Sequence, residues 1–334
     1  MSGSAILVTG GAGYVGSHVV LGLLGRHPVV VLDNLSEGHR ELVPQGVAFE
    51  AGDVLDRNAL NAVFQRYSIS AVVHLAARAY VGESAREPAR YFENNLVGTF
   101  QLLEAMRAHS VREFVFSSTC AVYGAPSRLP IGEDAPLAPI NAYGESKLAI
   151  ERMLHWYGAA YGIRAVALRY FNAAGADAAG RSGEWHEPEP HLIPQILSAA
   201  AGGEALTLHG DDYATPDGTG VRDFIHVSDL ARAHGQALQY LAAGEPSTCL
   251  NLGTGRGLSV GELIAVAGRI TGSKVAVRIG PRRVGDPSAL VADPSRAAKV
   301  LGWQPLESGA DRLLGTAWAW RQSRTTGTAQ AAAI

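Results

Sequence analysis

The feature that most constrains this chain lies near its start. An apolar β-branched run at 5–9 breaks into Thr9-Gly10-Gly11-Ala12-Gly13-Tyr14-Val15-Gly16 and passes into a stretch with helical spacing. A strand that turns through glycines straight into a helix brings free backbone N–H groups to a helix N-terminus, where a pyrophosphate is held by dipole and hydrogen bonds together. The next strand ends in Val31-Leu32-Asp33-Asn34. A carboxylate at that strand end accepts from a ribose 2′-hydroxyl and repels a 2′-phosphate, so the expected cofactor is NAD rather than NADP. Gly10, Gly13, Tyr14, Val15, Gly16, Asp33 and Asn34 are its first candidate contacts. Asp53-Val54, after the third strand, fits an adenine contact or a helix cap equally well.

The rest of the first half repeats one rhythm. Short β-branched runs at 29–32, 47–49, 71–73, 114–116 and 165–168 alternate with helical patterns at 14–24, 57–67, 88–109 and 143–161. This predicts a Rossmann-type α/β fold, a doubly wound parallel sheet covered on both faces. Near Asn172 the rhythm breaks, and 173–190 is rich in Gly, Ala, Pro and charge. The expected organisation is an NAD-binding domain over 1–172 with a returning segment near 222–253. A smaller α/β substrate region is expected over 173–221 and 254–323, with a flexible tail at 324–334. Later helices are expected at 191–201, 228–241, 259–271 and 308–321, and strands at 205–208, 248–252 and 275–279. With 28 basic against 31 acidic residues, a net charge of −3 and 47 % hydrophobic residues, the chain reads as globular and lacks the basic face that nucleic acid requires. No apolar run reaches the roughly 20 residues of a membrane span, and the first strand begins too early for a signal peptide. Two distant cysteines, Cys120 and Cys249, suit a reducing cytoplasm.

The chemistry is expected at the fifth strand, which runs into Ser117-Ser118-Thr119, and at the helix opened by Tyr143-Gly144-Glu145-Ser146-Lys147. Side chains at i and i+4 share a helix face, so the Tyr143 phenol and the Lys147 ammonium point into one pocket. Lowering a tyrosine pKa from about 10 to about 7 requires roughly 4 kcal/mol. Lys147, a positively charged nicotinamide and the helix N-terminus are the candidate sources. The Thr119 hydroxyl is placed to hydrogen-bond the substrate oxygen.

These motifs resemble the extended short-chain dehydrogenase/reductase superfamily and, within it, the UDP-glucose 4-epimerase family, over roughly 5–320. The narrower resemblance rests on Val81-Gly82-Glu83-Ser84, Asn94-Asn95, Arg169-Tyr170-Phe171-Asn172, the run from Asp217 to Val227, Asn251-Leu252-Gly253-Thr254-Gly255 and Arg282-Arg283-Val284-Gly285-Asp286. It implies further NAD contacts at Leu75, Ala76, Ala77, Asn95, Ser117, Tyr143, Lys147 and Tyr170. It also implies a UDP-sugar held by Asn172, His191, Leu192, Thr207, His209, Arg222, Arg283, Asp286 and Leu290, with Thr119 and Tyr143 at the sugar. Two arginines offer forked donors to a diphosphate. The implied partner is a second copy in a homodimer packed through the helices at 88–109 and 143–161.

The implied reaction takes a proton from the sugar 4-hydroxyl to Tyr143 and a hydride from C4 to NAD, then returns both to the opposite face of the 4-keto sugar. Dehydratases of similar sequence carry an acidic residue just after the position of Thr119, where this chain has Cys120-Ala121. Other readings are epimerisation of another UDP-sugar, a pentose or uronic acid, a general alcohol dehydrogenase, and an inactive NAD-binding regulatory protein. Leu290 stands where narrow-specificity relatives resemble one another in carrying Tyr, which leaves room for an N-acetylated sugar. His191 stands in place of a frequent Asn, Phe224 in place of Tyr, and the usual Lys before Val81 is absent, with Arg78 nearby. His186, His191, His209 and His226 show no familiar metal-ligand spacing, so no metal is expected. The acidic loop 211–218 lacks the ligand pattern of a calcium hand.

Overall fold

The computed structural model describes residues 4–283 and 286–331. The strands are β1 Ala5–Thr9, β2 Val29–Asp33, β3 Ala48–Ala51, β4 Ile69–His74, β5 Glu113–Thr119, β6 Arg164–Tyr170, β7 Asn172–Ala174, β8 Leu206–His209, β9 Val221–Arg222, β10 Phe224–His226, β11 Thr248–Leu252, β12 Leu258–Ser259, β13 Val277–Gly280 and β14 Ala289–Leu290. The helices are α1 Tyr14–Leu23, α2 Arg57–Arg66, α3 Val81–Ser84, α4 Pro88–Tyr91, α5 Gly98–Ala108, α6 Ala142–Tyr161, α7 Leu192–Ala200, α8 Val227–Ala242, α9 Val260–Thr271, α10 Ser295–Leu301 and α11 Ala310–Ala331.

Among the described residues, the central sheet has seven strands in the order β11-β6-β5-β4-β1-β2-β3, every pair parallel. All five residues of β1 and of β2 are buried, as apolar runs covered on two faces must be. One face packs Val19, Val20 and Leu23 of α1 with Leu230, Ala237 and Leu238 of α8. The other packs Leu60 and Val63 of α2, Leu102 and Leu103 of α5, and Ile150 and Leu154 of α6. The chain winds outward from β1 through β2 to β3 and, on the other side, through β4, β5 and β6. The crevice beyond the carboxyl ends of β1 and β4 is therefore the switch point at which such sheets bind ligands.

A third core joins Ile193 and Ile196 of α7, Leu263 and Ala267 of α9, and Leu313 and Leu314 of α11. Short strands tie this region to the sheet. Strand β7 pairs with β10, and β9 lies between β12 and β14. Within the stretch 222–253, α8 packs on α1 and β11 pairs with β6.

Two expected elements take another form. The helix expected over 88–109 is interrupted by a π-helical turn, Phe92–Val97, between α4 and α5. Thr99 Oγ1 donates to the Asn95 carbonyl at 2.5 Å, and the Asn95 side chain bridges to the backbone of Arg78 on the neighbouring loop. Such bulges recur at functional sites, and this one turns Asn95 into the interior. The last helix, expected to end at 321, continues to Ala331, through part of the stretch expected as a flexible tail. Among the described residues no helix is long and apolar enough to cross a membrane.

Candidate active site

The glycine loop is built by close approach. Gly10 has φ +73°, and a Cβ there would lie 2.5 Å from the backbone nitrogen of Ala76. A Cβ on Gly16 would lie 2.0 Å from the Gly10 carbonyl oxygen, so both positions exclude any side chain. Gly13 is the N-cap of α1, which has no side-chain cap and no acidic residue in its first turn. Its free N–H groups are available to an anion. At the end of β2, Asp33 is buried and accepts from the N–H of Ala12 at 2.9 Å and of Leu35 at 2.8 Å, one on each oxygen. A carboxylate has about four acceptor sites, so Asp33 keeps capacity for ribose hydroxyls while ordering the loop. Burial raises its pKa against those two hydrogen bonds. Asn34 Nδ2 donates to Asp53 Oδ2 at 2.8 Å, whose other oxygen accepts from Leu55 N–H at 2.8 Å, and Val54 packs close to Gly98; the helix-cap alternative for Asp53 does not hold, because Asp56 caps α2. Tyr14 turns its hydroxyl to the Gly175 carbonyl at 2.6 Å, and Val15 packs against the adjoining core. These residues form a cradle that suits a dinucleotide, glycine where the backbone must approach and an acceptor where the ribose lies.

Across the crevice, Leu75, Ala76 and Ala77 follow β4, with Leu75 N–H bonded to the Thr9 carbonyl at 2.9 Å. Asn95 supports this loop, donating to the Arg78 carbonyl at 3.1 Å and to Ser146 Oγ at 3.1 Å. Its amide is spent on protein atoms, so it acts as a support for the cofactor wall. Arg78 lies 3.6 Å from Glu37, which also accepts from the Tyr80 hydroxyl at 2.9 Å.

The reactive groups converge at the ends of β5 and β6 and the start of α6. Asn141 caps α6 through a 2.8 Å bond from Gly144 N–H, so Tyr143 lies in its first turn. Lys147, one turn on, is buried and donates to the Ser117 carbonyl at 2.9 Å. Its ammonium lies 5.9 Å from the Tyr143 ring centroid and 4.9 Å from that of Phe116. Thr119 Oγ1 accepts from Ala121 N–H at 3.1 Å and pairs in register with Tyr170, and both side chains lie close enough to the Tyr143 phenol to bear on its ionisation. Ser117 Oγ lies 3.1 Å from His234 Nε2.

In the chain itself burial dominates the ionisation of Tyr143 and raises its pKa, with Tyr170 adding to the rise and the Thr119 hydroxyl opposing it. The same burial pulls Lys147 down to about 7, against the opposing pull of Glu151.

The sugar-nucleotide candidates lie on β7, α7, β8, β9 and β14 and on the segments beside α7 and before β14. Asn172 donates to the Asp223 carbonyl at 3.1 Å, and Leu192 opens α7 directly after its N-cap His191. Arg222 and Asp286 are ion-paired with each other, and Leu290 lies opposite Arg222 on the paired strands β9 and β14. Arg283 is exposed, and Val284 and Gly285 lie outside the described residues. Thr207 accepts from Arg278 at 2.8 Å and His209 lies 3.3 Å from the Pro281 carbonyl. Both lie on β8, Thr207 engaged by the paired strand β13 and His209 by the residue just after it.

Sequence reasoning missed the supports. Glu151 forms a buried pair with Arg169 at 2.5 Å and accepts from Ser118 at 2.6 Å. It falls two turns after Tyr143 on the same helix face, a spacing that could have drawn attention to it. Asp223 is wholly buried and accepts from the backbone N–H groups of Thr254 at 2.8 Å, Gly255 at 3.1 Å and Ala292 at 3.1 Å, pinning the second glycine turn beside β14. His74 joins Thr9 and Thr99 at 2.6 and 2.9 Å beneath the crevice.

Comparison with known proteins gives the same picture. A UDP-glucose 4-epimerase of Halalkalibacterium halodurans is 49 % identical to this chain, over 97 % of each sequence. The crystal structure of UDP-glucose 4-epimerase from Brucella ovis in complex with NAD superposes with a TM-score of 0.92 at 50 % identity, covering 95 % of this chain and 98 % of that one. The UDP-Glc/GlcNAc 4-epimerase from Campylobacter jejuni superposes with a TM-score of 0.84 at 40 % identity, covering 96 % and 100 %. The NAD dependent epimerase/dehydratase family matches residues 6–253, the span holding the glycine loop, the Tyr143–Lys147 pair and the returning strand β11, and the chain belongs to that family.

Proposed function

We propose that this enzyme interconverts UDP-glucose and UDP-galactose by NAD-dependent 4-epimerisation. The observation that carries the reading is the convergence of Tyr143, Lys147 and Thr119 at one end of the crevice whose other end is the glycine cradle. NAD, when bound, supplies the acceptor and later the donor of the C4 hydride. Tyr143 moves the proton at the sugar 4-oxygen, and Thr119 orients that oxygen and the phenol through one hydroxyl. Lys147 holds a partial positive charge over the Tyr143 ring, on a stem fixed by the Ser117 carbonyl. Arg222, Arg283 and Asn172 are assigned to the nucleotide. Binding energy on this unreactive handle retains the ketosugar while it presents its second face.

Dehydration is disfavoured by chemistry at the next residue. Burial pushes the Cys120 thiol up to about 12, with Arg222 pulling the other way, so it offers no base for a second proton at neutral pH. Glu151, a carboxylate close behind β5, is engaged by Arg169 and Ser118. Leu290 favours a wider substrate range. It packs with Val122, Tyr123 and Phe171 and presents no hydroxyl beside the sugar wall, which supports acceptance of N-acetylhexosamine nucleotides.

The same reading includes a cytoplasmic homodimer. Phe100 on α5 and Trp156 and Tyr161 on α6 are large, apolar and exposed on adjacent helices, which supports pairing through that face. The test of function is incubation of the purified protein with UDP-galactose and separately with UDP-GalNAc, followed by chromatography of the sugar nucleotides. UDP-glucose is the expected product of the first and UDP-GlcNAc of the second. Neither epimer forming, even with NAD supplied, would overturn the function, and failure of the second alone would overturn the role given to Leu290.

A further inference from the structure

Outside the reactive cluster, one short loop gathers four ligand-type side chains. Glu184, His186, Glu189 and His191 come from eight consecutive residues, and one ligand atom from each lies within 4.8 Å of all the others. His186 Nδ1 is buried with no hydrogen-bond partner, although it faces Glu184 Oε1 at 3.5 Å and Glu189 Oε2 at 3.6 Å. His191 Nδ1 faces Glu189 Oε1 at 3.4 Å and Glu184 Oε1 at 2.5 Å. Zinc binds imidazole nitrogen and carboxylate oxygen at about 2.0–2.2 Å, so neighbouring ligands of a tetrahedral site stand about 3.3–3.6 Å apart. Three of the four nitrogen–oxygen separations, two of them to different oxygens of Glu189, are near that spacing and longer than well-formed hydrogen bonds, so the four side chains would need to draw in only slightly around a common centre. The fourth is a short imidazole–carboxylate contact, and a metal ion would take the place of the imidazole proton there.

We propose that Glu184, His186, Glu189 and His191 form a binding site for one zinc-class divalent ion. Two imidazoles beside two carboxylates select a borderline transition metal over magnesium or calcium, whose sites are built from oxygen alone. Four protein ligands fill a tetrahedron and leave no open position for a substrate, so the site is structural. Its mechanical role follows from its neighbours. Trp185 is sandwiched between the His39 ring, with centroids 3.6 Å apart, and the Arg324 guanidinium, 3.5 Å from the ring centroid. The Glu184 carbonyl accepts from Trp320 at 2.8 Å, and Tyr80 lies 5.9 and 6.1 Å from the two histidine rings. A metal would fasten the loop at the point where the segment after β2, the loop after β4 and helix α11 meet, directly before α7 begins. The inference does not rest on the proposed reaction, but it assigns His191 to the ion rather than to the UDP-sugar contact that the family resemblance implied.

The test uses the full-length enzyme, stripped with a chelator and titrated with zinc(II), and in parallel with cobalt(II). The expected results are one equivalent of zinc per chain by elemental analysis and the intense visible absorption of tetrahedral cobalt. His186→Gln and Glu189→Gln should each lose at least about a hundredfold in affinity, more than the tenfold to hundredfold typical of losing a group that only supports a ligand. His186→Cys should add a near-ultraviolet thiolate-to-cobalt charge-transfer band, a gained signal that misfolding cannot mimic. No stoichiometric zinc with only weak octahedral cobalt absorption would overturn the site. So would His186→Gln and Glu189→Gln chains that bind both metals as tightly as the unaltered enzyme.

Discussion

At the scale of the residue, the central tension is that Lys147 is buried and Tyr143 half-buried beside it, and desolvation disfavours the charged form of each. Tyr143→Phe removes the proton carrier without touching the cradle, so kcat should fall about 10²- to 10⁴-fold while NAD content stays unchanged, as steady-state rates and cofactor extraction would record. Lys147 also leaves a mark on stability. Unfolded, it titrates near 10.5, whereas in the folded chain burial lowers it to about 7. Between those values the unfolded state binds a proton that the folded state refuses, so stability rises with pH across that window. Lys147→Met should flatten the rise, seen as a smaller gain in urea midpoint between about pH 7 and about 9.5. An unchanged slope would show that Lys147 keeps its proton when folded. Tyr143 and Lys147 were legible in the sequence because i,i+4 spacing places two side chains on one helix face. His74, Asp223 and the Glu184–His191 cluster were not, because their partners come from other elements or from a loop with no period to read.

At the scale of the element, α6 is the working part. Tyr143, Lys147 and Glu151 recur every four residues along one face, carrying in turn the proton, the charge and the buried anchor. Glu151→Ala would leave the Arg169 guanidinium buried without its carboxylate and free the Ser118 hydroxyl. Breaking such a pair costs about 3–5 kcal/mol, which a denaturation curve would show as a large drop in midpoint. Replacing both partners by well-packed apolar residues should recover much of that loss. The long alternating runs announced the central strands and α1, α2 and α6, because burial on two faces leaves continuous apolar segments. The two-residue strands β9, β12 and β14 carry no such signal, since a period cannot be expressed in two residues. The π-helical turn at Phe92–Val97 was invisible for another reason. It depends on Asn95 bonding the Arg78 backbone, a tertiary contact.

At the scale of the whole molecule, the sheet carries the glycine cradle, and the smaller region around α7, β9 and β14 carries the residues proposed for the sugar nucleotide. Strand β11 and helix α8 return to the sheet from the second region, which ties the two walls together through a shared core. The exposed face of α5 and α6 lies on the outside of this arrangement. Trp156, 69 % exposed, should be central to pairing of two chains. Trp156→Glu should shift light-scattering mass from dimer to monomer, and a mass unchanged by the substitution would move the interface elsewhere. In the proposed reaction one hydride leaves C4 and returns to C4 of the same sugar, with Tyr143 handling only the proton. The most direct measurement is conversion of UDP-galactose deuterated at C4, in ordinary water and without added cofactor, followed by mass spectrometry and proton resonance of the product. The account predicts UDP-glucose with deuterium retained at C4 and no net reduced cofactor. Deuterium lost to solvent, or reduced cofactor accumulating in step with product, would contradict it.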